Sequence, residues 1–410
     1  MYISQNTAVE PRLCPICKST SRELLFRPSF EAPETIGLLE GYDLVACQSC
    51  GMTFANNIPP QKKFDEYYQH LSKYAYEHRG GKESEDDEWR LKHVAVVLRR
   101  FLSDPKTSIL EIGCASGRLL RFLKDDGYEH AVGLDPSPDC SKAARELYGV
   151  TAFTGTMFSS SLPDTSYDFA ILLGVLEHIR DVDIAVRALR KLLSSSGRVY
   201  IEVPDATNFI AEQDAPFQEF STEHINFFSP VTLQYLMEAG GFRAIECRSA
   251  VRQDRHGKPL STLYGIFERS QRRRSEFPHT PEAEVGLRRY IERCRSMDAE
   301  LRQRIKKAIE RSRVIVWGAG THTQRLLATG VLNPINVTVF VDSNPKYQNH
   351  RLAGTPVVRP EALKHHREPI LISSYAFQRE IEDQIRSMEL PNEVVLLYGN
   401  SSDVPKKVNR

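Results

Sequence analysis

The chain has 410 residues, which at about 150 per domain argues for two or three domains, and its 41% hydrophobic and 26% charged content is that of a folded rather than a disordered protein. With 54 Lys+Arg against 53 Asp+Glu the formal net charge is +1, so no global field gathers nucleic acid or anionic membrane and any polyanion has to be bound locally. Apolar runs fall short of the roughly 20 residues that span a bilayer, and Met-Tyr-Ile-Ser-Gln-Asn at the start lacks a charged region followed by an apolar core, so no membrane segment is expected and a cytoplasmic location is.

The first feature in chain order is a pair of Cys-x-x-Cys knuckles, Cys14-Pro15-Ile16-Cys17 and Cys47-Gln48-Ser49-Cys50, with 29 residues between them. Four thiolates so spaced suit a tetrahedral structural zinc with no open position for catalysis, and the long spacer means an inserted loop. The alternative is four reduced cysteines that never meet. The other four (Cys114, Cys140, Cys247, Cys294) are scattered singly, unlike a secreted disulfide framework. A segment of this size buries too little core to fold alone, so bound metal would supply its folding free energy. Residues 1–58 are therefore expected to be a zinc-binding segment. Residues 59–105 read as helical and polar, with the acidic run Glu83–Glu88 a solvated face.

From Ser108 to about Phe267, buried-strand patterns at Ser108–Ile112, Ala131–Leu134, Phe169–Leu173 and Arg198–Val203 alternate with amphipathic helices. That alternation predicts an α/β fold with a parallel sheet. Ile109-Leu110-Glu111-Ile112-Gly113-Cys114-Ala115-Ser116-Gly117-Arg118 is a strand running into a small-residue turn and then a helix, where backbone can approach a ligand closely. The second strand ends in Asp135, 24 residues after Glu111, where an acidic group would face ribose hydroxyls.

After Arg272, Arg273 and Arg274, apolar residues recur at Leu287, Tyr290, Ile291, Cys294, Met297, Leu301, Ile305 and Ile309, marking one long amphipathic helix. Arg313–Val316, Val337–Val341 and Pro369–Ser373 then give the strands of a smaller α/β unit. Its turn, Trp317-Gly318-Ala319-Gly320-Thr321-His322-Thr323, is half of a dinucleotide fingerprint, with Asp342 ending the next strand. Thr323 stands where the third glycine would be, which makes tight packing of helix on strand, and a pyrophosphate site, less assured. Independent NAD binding and a substrate-binding scaffold are both open for this unit, and there is no convincing internal repeat.

These residues resemble the class I S-adenosylmethionine-dependent methyltransferases, in which a Glu/Asp-x-Gly-x-Gly-x-Gly turn holds the methionine part of the cofactor and a later acidic residue binds its ribose. The resemblance continues through Tyr167-Asp168-Phe169-Ala170-Ile171-Leu172-Leu173-Gly174-Val175-Leu176-Glu177-His178 and Gly197-Arg198-Val199-Tyr200-Ile201-Glu202-Val203-Pro204. It implies cofactor contacts from Glu111, Gly113, Ala115, Gly117, Asp135 and Leu173. Ala115 replaces a usual glycine, which fits if the backbone there does not need a positive φ. The whole order, with Glu219-Phe220-Ser221-Thr222-Glu223-His224-Ile225-Asn226-Phe227-Phe228-Ser229-Pro230 between the two α/β units, resembles the zinc-containing sugar C-methyltransferases of deoxysugar biosynthesis. In that family a Tyr-x-Glu-His loop supplies the base; Glu223 and His224 match it, and Ser221 stands at the tyrosine position. His178 and a tyrosine of Tyr74-Ala75-Tyr76, here Tyr76, match other active-site positions.

The resemblance thus implies a zinc-binding segment (1–58), a methyltransferase core with a helical lead-in (59–270), and a linker helix with a second Rossmann-like domain (271–410). The expected reaction is methyl transfer to a small molecule, foremost C-methylation of a nucleotide-linked sugar with His224 as base. Transfer to oxygen or nitrogen of another metabolite is the alternative, modestly favoured by Ser221. A zinc-ribbon nucleic-acid-binding or scaffold protein is a third reading, against which stand neutral charge and the lack of an aromatic-basic motif. Neither a nucleic-acid nor a membrane partner is expected, and oligomeric state is not legible.

Overall fold

The computed structural model describes residues 11–33, 37–70, 85–159, 162–163, 166–255, 257–310 and 312–399, so Tyr74, Tyr76 and the start of the acidic run lie outside the described residues. Strands β1 (Arg22–Phe26), β2 (Asp43–Cys47) and β3 (Thr53–Asn56) form an antiparallel meander, with the first cysteine pair just before β1 and the second at the β2–β3 turn. Helices α1 (Gln61–His70) and α2 (Glu85–Leu98) follow. The described acidic residues Glu85, Asp86, Asp87 and Glu88 occupy the first turn of α2, where they complement the helix dipole.

The central layer begins at β4 (Ile109–Ile112) and continues through α3 (Arg118–Asp125), β5 (Ala131–Asp135), α4 (Pro138–Tyr148), β6 (Thr151–Thr154), β7 (Tyr167–Leu173), α5 (Val182–Leu192) and β8 (Leu193–Pro204). A two-residue strand β9 (Asn226–Phe227), helix α6 (Pro230–Ala239) and the hairpin β10 (Phe242–Gln253) and β11 (Pro259–Arg269) follow. The seven-stranded sheet has the order β10-β11-β8-β7-β4-β5-β6. Strands β4 to β8 are parallel, and β11 is antiparallel to both of its neighbours. The chain leaves β4 in one direction and β7 in the other, so the switch point, with its crevice outside the strand carboxyl ends, lies between these two. The strands predicted at 108–112, 131–134, 169–173 and 198–203 are all here. β6 and the β10–β11 hairpin were not predicted: β10 is largely exposed, so its residues carry no buried-strand pattern.

Strand β9 does not join this sheet. It pairs with β3, and the four-stranded sheet β1-β2-β3-β9 ties the cysteine-bearing segment to the chain just after His224.

The predicted long helix is α7 (Glu282–Ile309), which buries Leu287, Tyr290, Ile291, Cys294, Leu301 and Ile305. Beyond it lie β12 (Val314–Trp317), α8 (Thr321–Ala328), β13 (Val337–Val341), β14 (Arg351–Leu352), β15 (Thr355–Val358), β16 (Ile370–Ile372), α9 (Gln378–Ser387) and β17 (Val394–Leu396), with sheet order β14-β15-β13-β12-β16-β17. Thr323, fully buried, donates its hydroxyl proton to the Gly318 carbonyl oxygen at 2.6 Å and lies 2.8 Å from the Ser373 hydroxyl. The residue at the missing-glycine position thus secures α8 on the sheet by hydrogen bonding instead of by smallness.

Candidate active site

The turn after β4 runs at positive φ at Gly113 (74°), Ala115 (46°) and Gly117 (78°). A Cβ at Gly113 would lie 2.8 Å from Val175, and one at Gly117 would lie 2.7 Å from Ala144, so both positions are restricted by space as well as by backbone. The expectation that Ala115 escapes a positive φ is overturned: its φ of 46° lies in the left-handed region. Its amide, together with that of Ser137, donates to Asp135, at 2.9 Å each, so the second strand end latches onto the turn.

A cavity of about 330 Å³ opens against this turn, in the size range of small-molecule sites. Of the residues predicted to bind cofactor, Gly113, Ala115, Asp135 and Leu173 line it. Gly117 and Glu111 do not. Gly117 packs against Ala144 and Val150, while Glu111 is buried at the end of β4 with Oε2 unpartnered among the described residues. Burial first, then the Asp135 carboxylate, push the Glu111 carboxyl well above its ordinary range, and Arg90 opposes them. Burial raises Asp135 to about 6 against the two amide hydrogen bonds.

His178, Glu177 and His224 line the same cavity, and the two imidazole rings meet edge to face at 5.0 Å between centroids. His178 Nδ1 sits 2.9 Å from the Tyr68 hydroxyl and 3.1 Å from the Glu223 carbonyl oxygen, which fixes the ring and turns Nε2 toward Glu177 Oε1 at 3.8 Å. Ser221 accepts the amide protons of Glu223 and His224 on its hydroxyl, at 3.2 and 3.1 Å. Ser221 is thus a turn-former that shapes the loop. The Glu223 side chain points elsewhere: Oε1 accepts from the Tyr67 hydroxyl at 2.8 Å, and the carboxylate lines a separate small cavity.

Gln61, Asp65, Tyr68 and Arg90, all on the two lead-in helices, also line the large cavity, and none was singled out in the sequence. Their helices read only as polar. Arg90 lies 3.9 Å from Glu202 Oε1, and Arg252 pairs with the other oxygen at 2.7 Å.

The thiols of Cys14, Cys17, Cys47 and Cys50 lie within 4.8 Å of one another, with Cys14–Cys50 and Cys17–Cys47 sulfur separations of 3.5 Å. Those separations are far beyond a disulfide bond and close to the roughly 3.8 Å between sulfurs that tetrahedral Zn–S bonds of about 2.3 Å require. Arg12, just before the first cysteine pair, ties that segment to the chain after His224: its buried guanidinium donates to the carbonyl oxygens of Ala55 (2.9 Å) and Ile225 (3.3 Å) and to the Asn226 amide oxygen (3.0 Å).

Residues 87–247 match the family described as Methyltransferase domain, and residues 310–396 match one described as C2185-like, N-terminal. A probable S-adenosylmethionine-dependent methyltransferase of Mycolicibacterium smegmatis is 26% identical over 181 residues, 44% of this chain and 67% of that protein. The tRNA U34 carboxymethyltransferase of Aeromonas salmonicida is 26% identical over 176 residues, 38% of this chain and 51% of that protein. The chain thus spans between half and two thirds of the length of these two relatives. Among solved structures, the Burkholderia thailandensis 1,6-didemethyltoxoflavin-N1-methyltransferase is similar over 58% of this chain and all of that one, at 16% identity and a TM-score of 0.41. Residues 87–247 thus match a methyltransferase domain, and the relatives that the chain is similar to support S-adenosylmethionine-dependent methyl transfer.

Proposed function

We propose that the protein methylates a small-molecule acceptor in the 330 Å³ cavity, foremost carbon of a nucleotide-linked sugar, with His224 taking the proton released at the acceptor. The observation that carries this reading is one cavity bounded on one side by the Gly113–Asp135 turn and on another by His178 and His224. S-adenosylmethionine, when bound, supplies an electrophilic methyl group. The residues present fit it: Asp135 keeps free lone pairs beyond its two amide bonds for hydroxyl groups, and Arg90 offers a cation for a carboxylate. Glu111, buried in β4 and outside the lining of the cavity, retains its sequence-based assignment to the methionine moiety. His224 would act as base, held by the Ser221 turn, and Tyr68 would orient His178 beside it. Tyr76 retains its sequence-based assignment as a further contact. The four cysteines would hold one structural zinc. The C-terminal sheet would be a second domain forming one wall of the acceptor cleft, and the protein would act without a nucleic-acid partner.

A thermal-shift screen of nucleotide sugars, with S-adenosylhomocysteine present, tests the acceptor class, since a specific ligand raises the melting temperature by mass action. Stabilisation by a nucleotide sugar supports the reading. Stabilisation by transfer RNA alone, the substrate named for one of the relatives, would replace it. With the acceptor in hand, His224→Gln is expected to lower turnover by about 10²–10⁴-fold with cofactor affinity nearly unchanged. Wild-type turnover across pH 6–9 would remove His224 from the proton transfer.

A further inference from the structure

We propose that Lys346, in the C-terminal sheet's strand-end turn, is a positioning residue for the His224 loop, acting through a buried chain of hydrogen bonds, Lys346–Tyr67–Glu223. The inference rests on the reading above that His224 faces the reacting atoms. Lys346 Nζ donates to the Tyr67 hydroxyl oxygen at 2.9 Å, and that hydroxyl donates onward to Glu223 Oε1 at 2.8 Å. The ammonium also lies 4.8 Å from the centre of the Tyr67 ring, within cation–π range. Lys346 is 7% exposed, and Tyr67 and Glu223 are 4% exposed each. An ammonium so deeply buried is costly unless its surroundings compensate it, and here a carboxylate, one hydroxyl away, balances its charge.

The lysine is aimed by backbone. Asp342 accepts from the Ala319 and Asn344 amides at 2.8 Å each, and Asn344 Oδ1 accepts from the Lys346 amide at 2.9 Å. Two successive Asx turns therefore fold the end of β13 so that residue 346 projects at Tyr67, which is 279 positions earlier. At the far end of the chain, Glu223 and His224 face different spaces. His224 lines the large cavity, while Glu223 lines a small one of about 30 Å³ with Tyr67, Thr222, Gln324 and Lys346. The Glu223 carbonyl oxygen meets His178 Nδ1, so fixing the residue at its carboxylate also fixes the contact that orients the second histidine. The turn thus lets Lys346 bear on the placement of both imidazoles from outside the lining of the large cavity.

The test uses the full-length chain labelled with ¹⁵N-histidine, the imidazole signals of His178 and His224 being assigned with His178→Gln and His224→Gln. Lys346→Met and Tyr67→Phe are each expected to displace or broaden both signals. The signal of exposed His93 stays in place, and S-adenosylhomocysteine affinity by calorimetry stays within about threefold of wild type. Lys346→Arg restores the signals in part. Signals in Lys346→Met and Tyr67→Phe that superimpose on wild type overturn the proposal. If Lys346→Met does not fold, Tyr67→Phe, which keeps the ring, decides alone. Absence of S-adenosylhomocysteine binding in the wild type would instead count against the cofactor reading and leave the histidine comparison to be judged by itself.

Discussion

Asp135 meets two demands at once: it accepts the amides that close the glycine turn, and it faces the cavity in which a ribose would lie. Burial moves its carboxyl from 3.8 in the unfolded chain to about 6 in the folded one. A raised carboxyl stabilises the fold fully below the unfolded value, and that contribution is lost as pH rises through 6. Between pH 4 and 6 the melting temperature of the ligand-free wild type should therefore fall with rising pH more steeply than that of Asp135→Asn; equal slopes would refute the shift. Ala115 offers an independent check of the turn. A non-glycine residue at φ 46° is strained, so Ala115→Gly should raise stability by about 0.5–1 kcal/mol after the loss to unfolded-chain entropy, measured by denaturant unfolding. A loss of stability would mean that the alanine methyl makes contacts worth more than the strain.

At the scale of elements, the His224 loop is held by structure remote in sequence. The chain after His224 becomes a strand of the cysteine-bearing sheet, with Phe54 opposite Asn226 and Thr53 opposite Phe227, and the Thr53 hydroxyl donates to the Phe227 carbonyl oxygen at 2.6 Å. A metal on the four cysteines would thus steady the loop as well as its own segment. Prolonged chelation at neutral pH is expected to release about one zinc per chain, to lower the melting temperature by several degrees, and to speed amide exchange first in β1, β2, β3 and β9. Exchange that accelerates uniformly over all three sheets would contradict this coupling. The long helix α7 was legible because its buried residues keep a 3.6-residue period. The hairpin β10–β11 was not, because β10 alternates between half-buried and exposed positions on the sheet's edge.

For the whole molecule, the two glycine turns prove to be built alike. In each, an aspartate at a strand end accepts the amide of an alanine in the turn and the amide two residues ahead: Asp135 with Ala115 and Ser137, Asp342 with Ala319 and Asn344. The sequence showed both turns yet no repeat, since the shared feature is a hydrogen-bond pattern that several residue types satisfy. Their surroundings differ. Asp135 opens onto the large cavity, whereas the turn after Asp342 sends Lys346 back to α1. Residues that belong to a local motif, such as Gly113, Asp135 and the four cysteines, could be singled out from spacing. Tyr68 and Arg90 at the large cavity, and Lys346 at Tyr67, could not, because long-range packing alone brings them there.

The central claim, a methyl-donor site at the first turn, is tested most directly by calorimetric titration of the full chain with S-adenosylhomocysteine, in wild type and in Asp135→Ala. One site per chain is expected, weakened in the variant by about 1–3 kcal/mol, or roughly 5- to 150-fold, the cost of leaving hydrogen-bonding groups unpaired. No binding to the wild type, or equal affinity in the variant, would contradict it.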